Sequence, residues 1–81
     1  MKRIARVHLR VSSMIRLKGR KSQHGWVELP QRMQVGALLH HLGLNLGNTP
    51  ALVVIDGKVS SMDAECSGGE HIVVLPVIGG G

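Results

Sequence analysis

The 81-residue sequence ends in three glycines, a pattern suited to chemistry at a chain terminus. Gly79, Gly80 and Gly81 follow an apolar run that covers residues 72–78. Glycine loses more conformational freedom on ordering than any other residue, so glycines here add little to a core or a sheet. Without Cβ atoms they form a thin chain that fits a narrow groove. If the carboxylate of Gly81 is the reacting group, such a tail is suited to presenting it, and the alternative is an end that only frays.

The other reactive side chains do not form a site in the sequence. His40 and His41 are adjacent, so on a helix they point about 100° apart, and no third metal ligand has a supporting spacing. Cys66 has no second thiol and no neighbouring base, which predicts a passive thiol in a loop or a partly buried one. Three further histidines are scattered along the chain, His8, His24 and His71. We therefore expect a protein that is not an enzyme and that binds no metal or cofactor itself.

The composition predicts one small domain. Hydrophobic residues make up 43% of the chain, with one Trp and no Phe or Tyr, so the core must be built from Val, Leu, Ile, Met and Ala. No apolar stretch is long enough to span a membrane, and no signal-type segment follows the charged start. A single cysteine forms no internal disulfide. These features predict a cytoplasmic protein without a membrane partner.

The net charge of +5 raises the question of an anionic partner. The basic residues are concentrated in the first half of the chain, with a cluster at Arg16, Lys18, Arg20 and Lys21. Specific single-strand binding usually adds aromatic stacking platforms, and Trp26 is the only aromatic residue. We interpret the cluster as a solvated loop or a docking surface for an acidic partner, and do not expect a nucleic-acid partner. A small basic nucleic-acid-binding module is the alternative from another functional class.

The hydrophobic pattern predicts the elements that must hold the tail. Residues 3–11 alternate as a half-buried strand, residues 14–17 suggest a single helical turn, and residues 18–25 read as a basic loop. Residues 26–29 form a short strand that Pro30 stops. Val35, Leu38, Leu39 and Leu42 then follow helical spacing, and Gly43 ends that helix.

The second half of the chain predicts three more strands. Residues 51–55 are a continuous apolar run, typical of a strand buried on both faces. Asp56-Gly57 predicts a hairpin turn that returns through residues 58–60. Residues 61–69 look irregular, and residues 72–77 form the last strand. This order predicts an α+β fold with one helix across a mixed sheet.

Three local motifs in this order resemble the ubiquitin-like β-grasp sulfur carrier proteins of molybdopterin and thiamine biosynthesis. The first is a Leu-Pro strand end followed by the helix and its Leu-Gly close, and the second is the apolar strand with its Asp-Gly turn. The third and most specific is the ending Gly-Glu-His-Ile-Val-Val-Leu-Pro-Val-Ile-Gly-Gly-Gly. Glu70, Cys66 and Gly79 depart from the family's usual Asp, Leu, and Ala or Ser.

The resemblance implies a fold, a chemistry and a set of partners. It implies a four- to five-stranded mixed sheet in residues 1–78 and a flexible tail in residues 79–81. An E1-like enzyme would use ATP and Mg²⁺ to adenylate Gly81, and a sulfur donor such as a cysteine desulfurase would then allow a thiocarboxylate to form. A synthase subunit would accept the sulfur. Gly79 and Gly80 would thread the partner's active site, and docking would fall to the apolar residues before them, Leu75, Pro76, Val77 and Ile78.

Three questions stay open at this stage. The same activated tail could instead join Gly81 to lysines of other proteins, as in a ubiquitin-like modifier. For Val74 and Val77, simple core packing is the alternative to a role in docking. The sequence also does not choose between a molybdopterin-type and a thiamine-type pathway.

Overall fold

The computed structural model describes residues 4–12, 24–44, 46 and 50–77. It contains a helix, α1 (Val35–His41), and seven strands: β1 (Ala5–Val11), β2 (His24–Leu29), β3 (Met33–Gln34), β4 (Ala51–Ile55), β5 (Lys58–Ser60), β6 (Glu65–Cys66) and β7 (His71–Pro76). Five strands form a sheet in the order β2-β1-β7-β4-β5, while β3 and β6 pair separately. β1 is parallel to β7, and the other neighbours are antiparallel. This confirms the predicted β-grasp architecture.

Strand β1 shows the alternation that the sequence predicts. Val7, Leu9 and Val11 are buried, whereas Arg6 and Arg10 are exposed on the opposite face of the sheet. Period-two alternation produces this separation because successive Cβ atoms in a strand point to opposite faces. The face that carries Arg6 and Arg10 is called the outer face below.

Strand β2 begins two residues earlier than the sequence predicts. We expected residues 18–25 to be a loop, but His24 and Gly25 belong to β2 and lie opposite Arg10 and Leu9. Gly25 has a φ of 132°, which L side chains rarely adopt. The glycine that suggested a loop is instead part of the ladder. Pro30 follows the last residue of β2, as expected.

Helix α1 ends in a Schellman motif at the predicted glycine. Gly43 has a φ of 75°, its N–H bonds to the carbonyl of His40, and the N–H of Leu44 bonds to the carbonyl of Leu39. Leu39 and Leu44 are both buried, which supplies the apolar contact of this motif. Val35, Leu38 and Leu39 join the core with inward residues of the sheet, and Leu42 packs partly buried against it.

The β4–β5 hairpin has the turn that Asp-Gly predicts. Asp56 and Gly57 both have positive φ, 51° and 81°, the combination that a type I′ turn requires. The expected burial of β4 on both faces is wrong, because Val53 is its only fully buried residue. The helix covers one face of the sheet, so the residues of β4 on the outer face are only half-buried.

Strands β3 and β6 were missed in the sequence, since residues 61–69 look irregular. Two-residue strands have no detectable period. Met33 lies opposite Cys66, and Gln34 lies opposite Glu65. The segment between β5 and β6 also completes the helix start, because the N–H groups of Val35 and Gly36 bond to the carbonyls of Ala64 and Met62. These bonds satisfy two of the donors that every helix start leaves open.

Several sequence predictions fall outside the described residues. They are the helical turn at residues 14–17, the basic cluster between Arg16 and Lys21, and residues 78–81 with the glycine tail. The proposed division at residue 78 also stays a prediction.

Candidate functional site

The root of the glycine tail is strand β7, which lies between β1 and β4. On one side, the N–H of Ser12 bonds to the carbonyl of Val74 at 2.9 Å. On the other, Pro76 lies opposite Ala51, and the N–H of Val77 bonds to the carbonyl of Pro50 at 3.1 Å. The strand begins and ends one residue before the predicted bounds of 72–77. The backbone is therefore held up to Val77, and four residues follow.

The residues of β7 divide between the core and the outer face. Ile72 and Val74 are fully buried in the core, so core packing explains Val74. Leu75 and Val77 are 36% and 49% exposed, and Leu75 lies opposite Leu52 of β4. Pro76 is half-buried. Two of the four predicted docking residues thus present apolar surface next to the tail, whereas Ile78 lies outside the described residues.

The loop before β7 is built around the carboxylate of Glu70. Its Oε2 accepts hydrogen bonds from the N–H and the hydroxyl of Ser67, at 2.9 and 3.3 Å, and its Oε1 accepts one from the N–H of Gly68 at 2.7 Å. Partial burial raises the pKa of Glu70, but the hydrogen bonds from Ser67, Gly68 and its own backbone outweigh this, so the pKa is lowered overall.

The same loop ties the start of β7 to β1. The N–H of Gly69 bonds to the carbonyl of Arg6 at 2.7 Å, and the N–H of His8 bonds to the carbonyl of Glu70 at 2.9 Å. Gly68 has a φ of 133°, and an added Cβ would lie 3.2 Å from the Cβ of Ala5. The sequence showed Glu70 only as a departure from a family pattern. Its position directly after the Gly68-Gly69 pair was the available signal for a carboxylate that closes a tight turn.

Cys66 is a buried residue of β6, not a loop thiol. Its Sγ lies 3.3 Å from the carbonyl oxygen of Met33, to which the thiol donates. Burial raises the pKa of Cys66, and the negative charges of Glu70 and Glu65 raise it further, against a smaller lowering by the backbone. The thiolate is the reactive form of cysteine, so this environment makes Cys66 unreactive.

Two of the scattered histidines meet in space with the tryptophan. His8 of β1 lies opposite both Trp26 of β2 and His71 of β7. The rings of His8 and His71 stack with centroids 5.1 Å apart, and Trp26 meets each of them edge to face at 5.3 Å. The sequence missed this cluster because the three residues are far apart along the chain. His40 and His41 are exposed in the last turn of α1.

The described residues contain neither a cluster suited to a metal ion nor a helix that could span a membrane. In this part of the chain, His, Cys, Asp and Glu form no group of three or more that could hold a metal ion. The helix described here is also too short to cross a membrane.

Comparison with known proteins identifies the family. Residues 18–81 match the ThiS family model, which covers β2 to β7 and the glycine tail. The chain belongs to the ThiS family. ThiS proteins are small β-grasp sulfur carriers of thiamine and molybdopterin biosynthesis rather than enzymes. They work with E1-like activating enzymes and with synthases. Neither the curated proteins nor the solved structures contain a match to this chain.

The ThiS match and the structure cover different parts of the fold. The match begins at residue 18 and so leaves out β1, which the structure places inside the sheet between β2 and β7. The structure describes the tail root up to Val77, whereas the ThiS match continues to Gly81. Together they describe a β-grasp domain in which Val77 and Ile78 connect the central strand to the three glycines.

Proposed function

We propose that this protein carries sulfur as a thiocarboxylate on Gly81 and delivers it in a thiamine-type or molybdopterin-type pathway. The observation that carries the proposal is the ThiS match through Gly81, combined with the position of the glycines just after β7. An ATP- and Mg²⁺-dependent E1-like partner activates the carboxylate, and this chain supplies no catalytic residue. A synthase subunit receives the sulfur, which a donor such as a cysteine desulfurase provides.

The chemistry needs activation because a glycine carboxylate is ionised at neutral pH, with a reference pKa of about 3.3–3.7. One oxygen of Gly81 attacks the α-phosphorus of ATP, and the bond to pyrophosphate breaks. A thiol reductant first cleaves the donor's persulfide, is oxidised to a disulfide and releases sulfur at the oxidation level of sulfide. This sulfur then attacks the carbonyl carbon, and AMP leaves with the electron pair of the C–O bond. The product keeps the carbon skeleton of the tail and has sulfur in place of one oxygen.

The geometry of the root favours close docking on the activating enzyme. Four residues follow Val77, and they span at most about 14 Å. The folded domain must therefore approach the partner's active site closely, and the surface that approaches first contains Leu75 and Val77. Their exposure supports the role of these apolar side chains in docking. Gly79 and Gly80 fill the channel because they add no side-chain bulk.

Intact-mass analysis of the protein from its own cells tests the proposal. We expect a species with sulfur in place of one oxygen, and deletion of Gly81 should remove it without changing the folded domain. In a reconstituted reaction, Val77→Ser should raise the KM of the activating enzyme for the carrier. Val59→Ser is the matched control, because Val59 is 71% exposed on the far edge strand β5.

Three results would contradict this function. They are unchanged sulfur loading after loss of Gly81, absence of the sulfur-containing species from active cells, and stable conjugates to lysines of other proteins through Gly81. The last result would establish the modifier role that the sequence left open.

A further inference from the structure

The cluster of His8, Trp26 and His71, here called the ring cluster, lies on the outer face of the sheet. Trp26 is 55% exposed, although tryptophan has a large apolar surface that proteins usually cover. His71 is also exposed, and His8 is partly buried beside both. The three rings are in mutual contact, so Trp26 is held in place by the two imidazoles. A fixed and exposed indole next to imidazoles is a surface on which planar rings stack.

The charges on the same face are mixed, with the two arginines of β1 on either side of His8. Arg6 lies two residues before His8 and Arg10 two residues after it, so all three side chains share the outer face. Glu28 lies opposite Arg6 on β2 and offsets part of its charge. Arg10 lies opposite His24 and Val73, with no carboxylate among these ladder partners. The whole chain has a net charge of +5.

The ring cluster is remote from the glycine tail. His71 begins β7 and Val77 follows its last residue, so the two are about 20 Å apart at 3.3 Å per residue. The four residues after Val77 span at most about 14 Å. A ligand on the ring cluster therefore leaves Gly81 free, and the two sites are tested independently.

We propose that the ring cluster and Arg10 bind single-stranded nucleic acid. A base stacks on Trp26 beside the imidazoles, and the arginines of β1 contact phosphates. Stacking platforms on open sheet faces together with positive charge are the physical basis of single-strand binding. In the sequence, the presence of a single aromatic residue argued against a nucleic-acid partner. The fold places two imidazole rings beside that residue and so enlarges the stacking surface. A duplex fits this surface poorly because its bases are already stacked on each other.

Binding of labelled oligonucleotides about 12 nucleotides long tests the proposal, a length within the site sizes of single-strand binders. Oligouridylate and oligothymidylate arms distinguish RNA from DNA, and a duplex of equal length is the comparison. Trp26 is the only tryptophan and the chain has no tyrosine, so its fluorescence reports this site alone. We expect single strands to quench that fluorescence in the unmodified full-length protein, and the duplex to do so far less.

Two variants separate stacking from charge. Trp26→Leu should weaken binding about 5- to 150-fold, the equivalent of one stacked base. Arg10→Ser should lower the steepness of the salt dependence by about 0.7 in log–log slope, the value for one phosphate of a single strand. Arg32→Ser, a change of equal charge at an exposed position outside β1 and β2, should leave both values unchanged. Deletion of Gly81 should also leave binding intact.

The proposal is overturned if single strands do not quench Trp26 in the unmodified protein, a result that does not depend on how any variant folds. The proposal is also overturned, in favour of general charge attraction, if the duplex binds as tightly as the single strands. The same holds if Arg32→Ser lowers the affinity and the salt-dependence slope as much as Arg10→Ser does. Displacement of the oligonucleotide by polyglutamate at equal charge concentration would identify an acidic protein as the partner instead.

Discussion

Changing Glu70 to glutamine tests how the start of β7 is held. The carboxylate accepts three hydrogen bonds at two oxygens, whereas an amide offers one oxygen and a donating NH₂ group. In Glu70→Gln, the NH₂ group would face the N–H of either Ser67 or Gly68. One backbone donor would then lose its partner or turn to water.

The expected cost follows from the number of bonds and their exposure. Hydrogen bonds to charged groups contribute about 1.5–3 kcal/mol each in favourable settings. Ser67 and Gly68 are exposed, so water replaces part of what is lost, and solvent screens the charge. We expect Glu70→Gln to lower the free energy of unfolding by about 1 kcal/mol at neutral pH. For a domain of this size, this corresponds to a Tm lower by about 4–8 °C.

The pH dependence gives a second and independent check. The pKa of Glu70 is lowered from 4.5 in the folded protein. A lowered folded pKa stabilises the folded state fully above the unfolded pKa, and this stabilisation is lost as pH falls through the folded value. The gap between the unmodified protein and Glu70→Gln should therefore be largest at neutral pH and shrink in acid below pH 4.5.

Urea unfolding followed by Trp26 fluorescence measures both effects. Glu65→Gln is the matched control, because Glu65 is exposed on β6 and the change in charge is the same. Equal unfolding midpoints for the two variants at neutral pH would refute the assignment of Glu70 as a structural acceptor. A gap that stays constant into acid would refute the role of its charge.

Three other positions give predictions from the same unfolding assay or a simple thiol reaction. Leu38→Ala should lower the free energy of unfolding by about 2–5 kcal/mol because Leu38 is fully buried. Leu42→Ala should lower it by less because Leu42 is only half-buried, and equal losses in the two variants would contradict the packing described. Gly57→Ala should cost about 1 kcal/mol from its positive φ alone, since an added Cβ there has open space, and a neutral result would contradict the type I′ turn. Cys66 should react with a thiol reagent far more slowly in the folded protein than in urea, and equal rates would contradict its burial.

The elements with a long hydrophobic period were predictable from the sequence. β1 spans seven residues with regular alternation, and α1 has its apolar stripe and terminal glycine, so several positions agree on each. The Asp-Gly turn was predictable because few residues accept two positive φ angles in succession. Fold class followed from the order of these elements.

Features that depend on distant contacts were not predictable from local pattern. β3 and β6 are each two residues long and exist because they pair with each other. The ring cluster joins β1, β2 and β7, and its first and last members are 63 positions apart (71 − 8). Gly25 looked like a loop residue because glycine generally weakens strands. It belongs to β2 because it pairs with Leu9 of β1, a contact that the local sequence does not show. The glycine tail was identified from its residue types, and the ThiS match includes it. The chemistry at Gly81 stays a proposal.

The central position of β7 also determines how the domain responds to mechanical load. A partner that grips the tail pulls along the axis of β7, while β1 and β4 flank this strand on both sides. The hydrogen bonds of both ladders lie across the direction of pull, so many of them share the force and must yield together. An edge strand pulled at its end away from the sheet would instead unzip bond by bond. We expect the tail to transmit tension to the whole sheet, so that the domain stays folded while its end is drawn into a narrow channel.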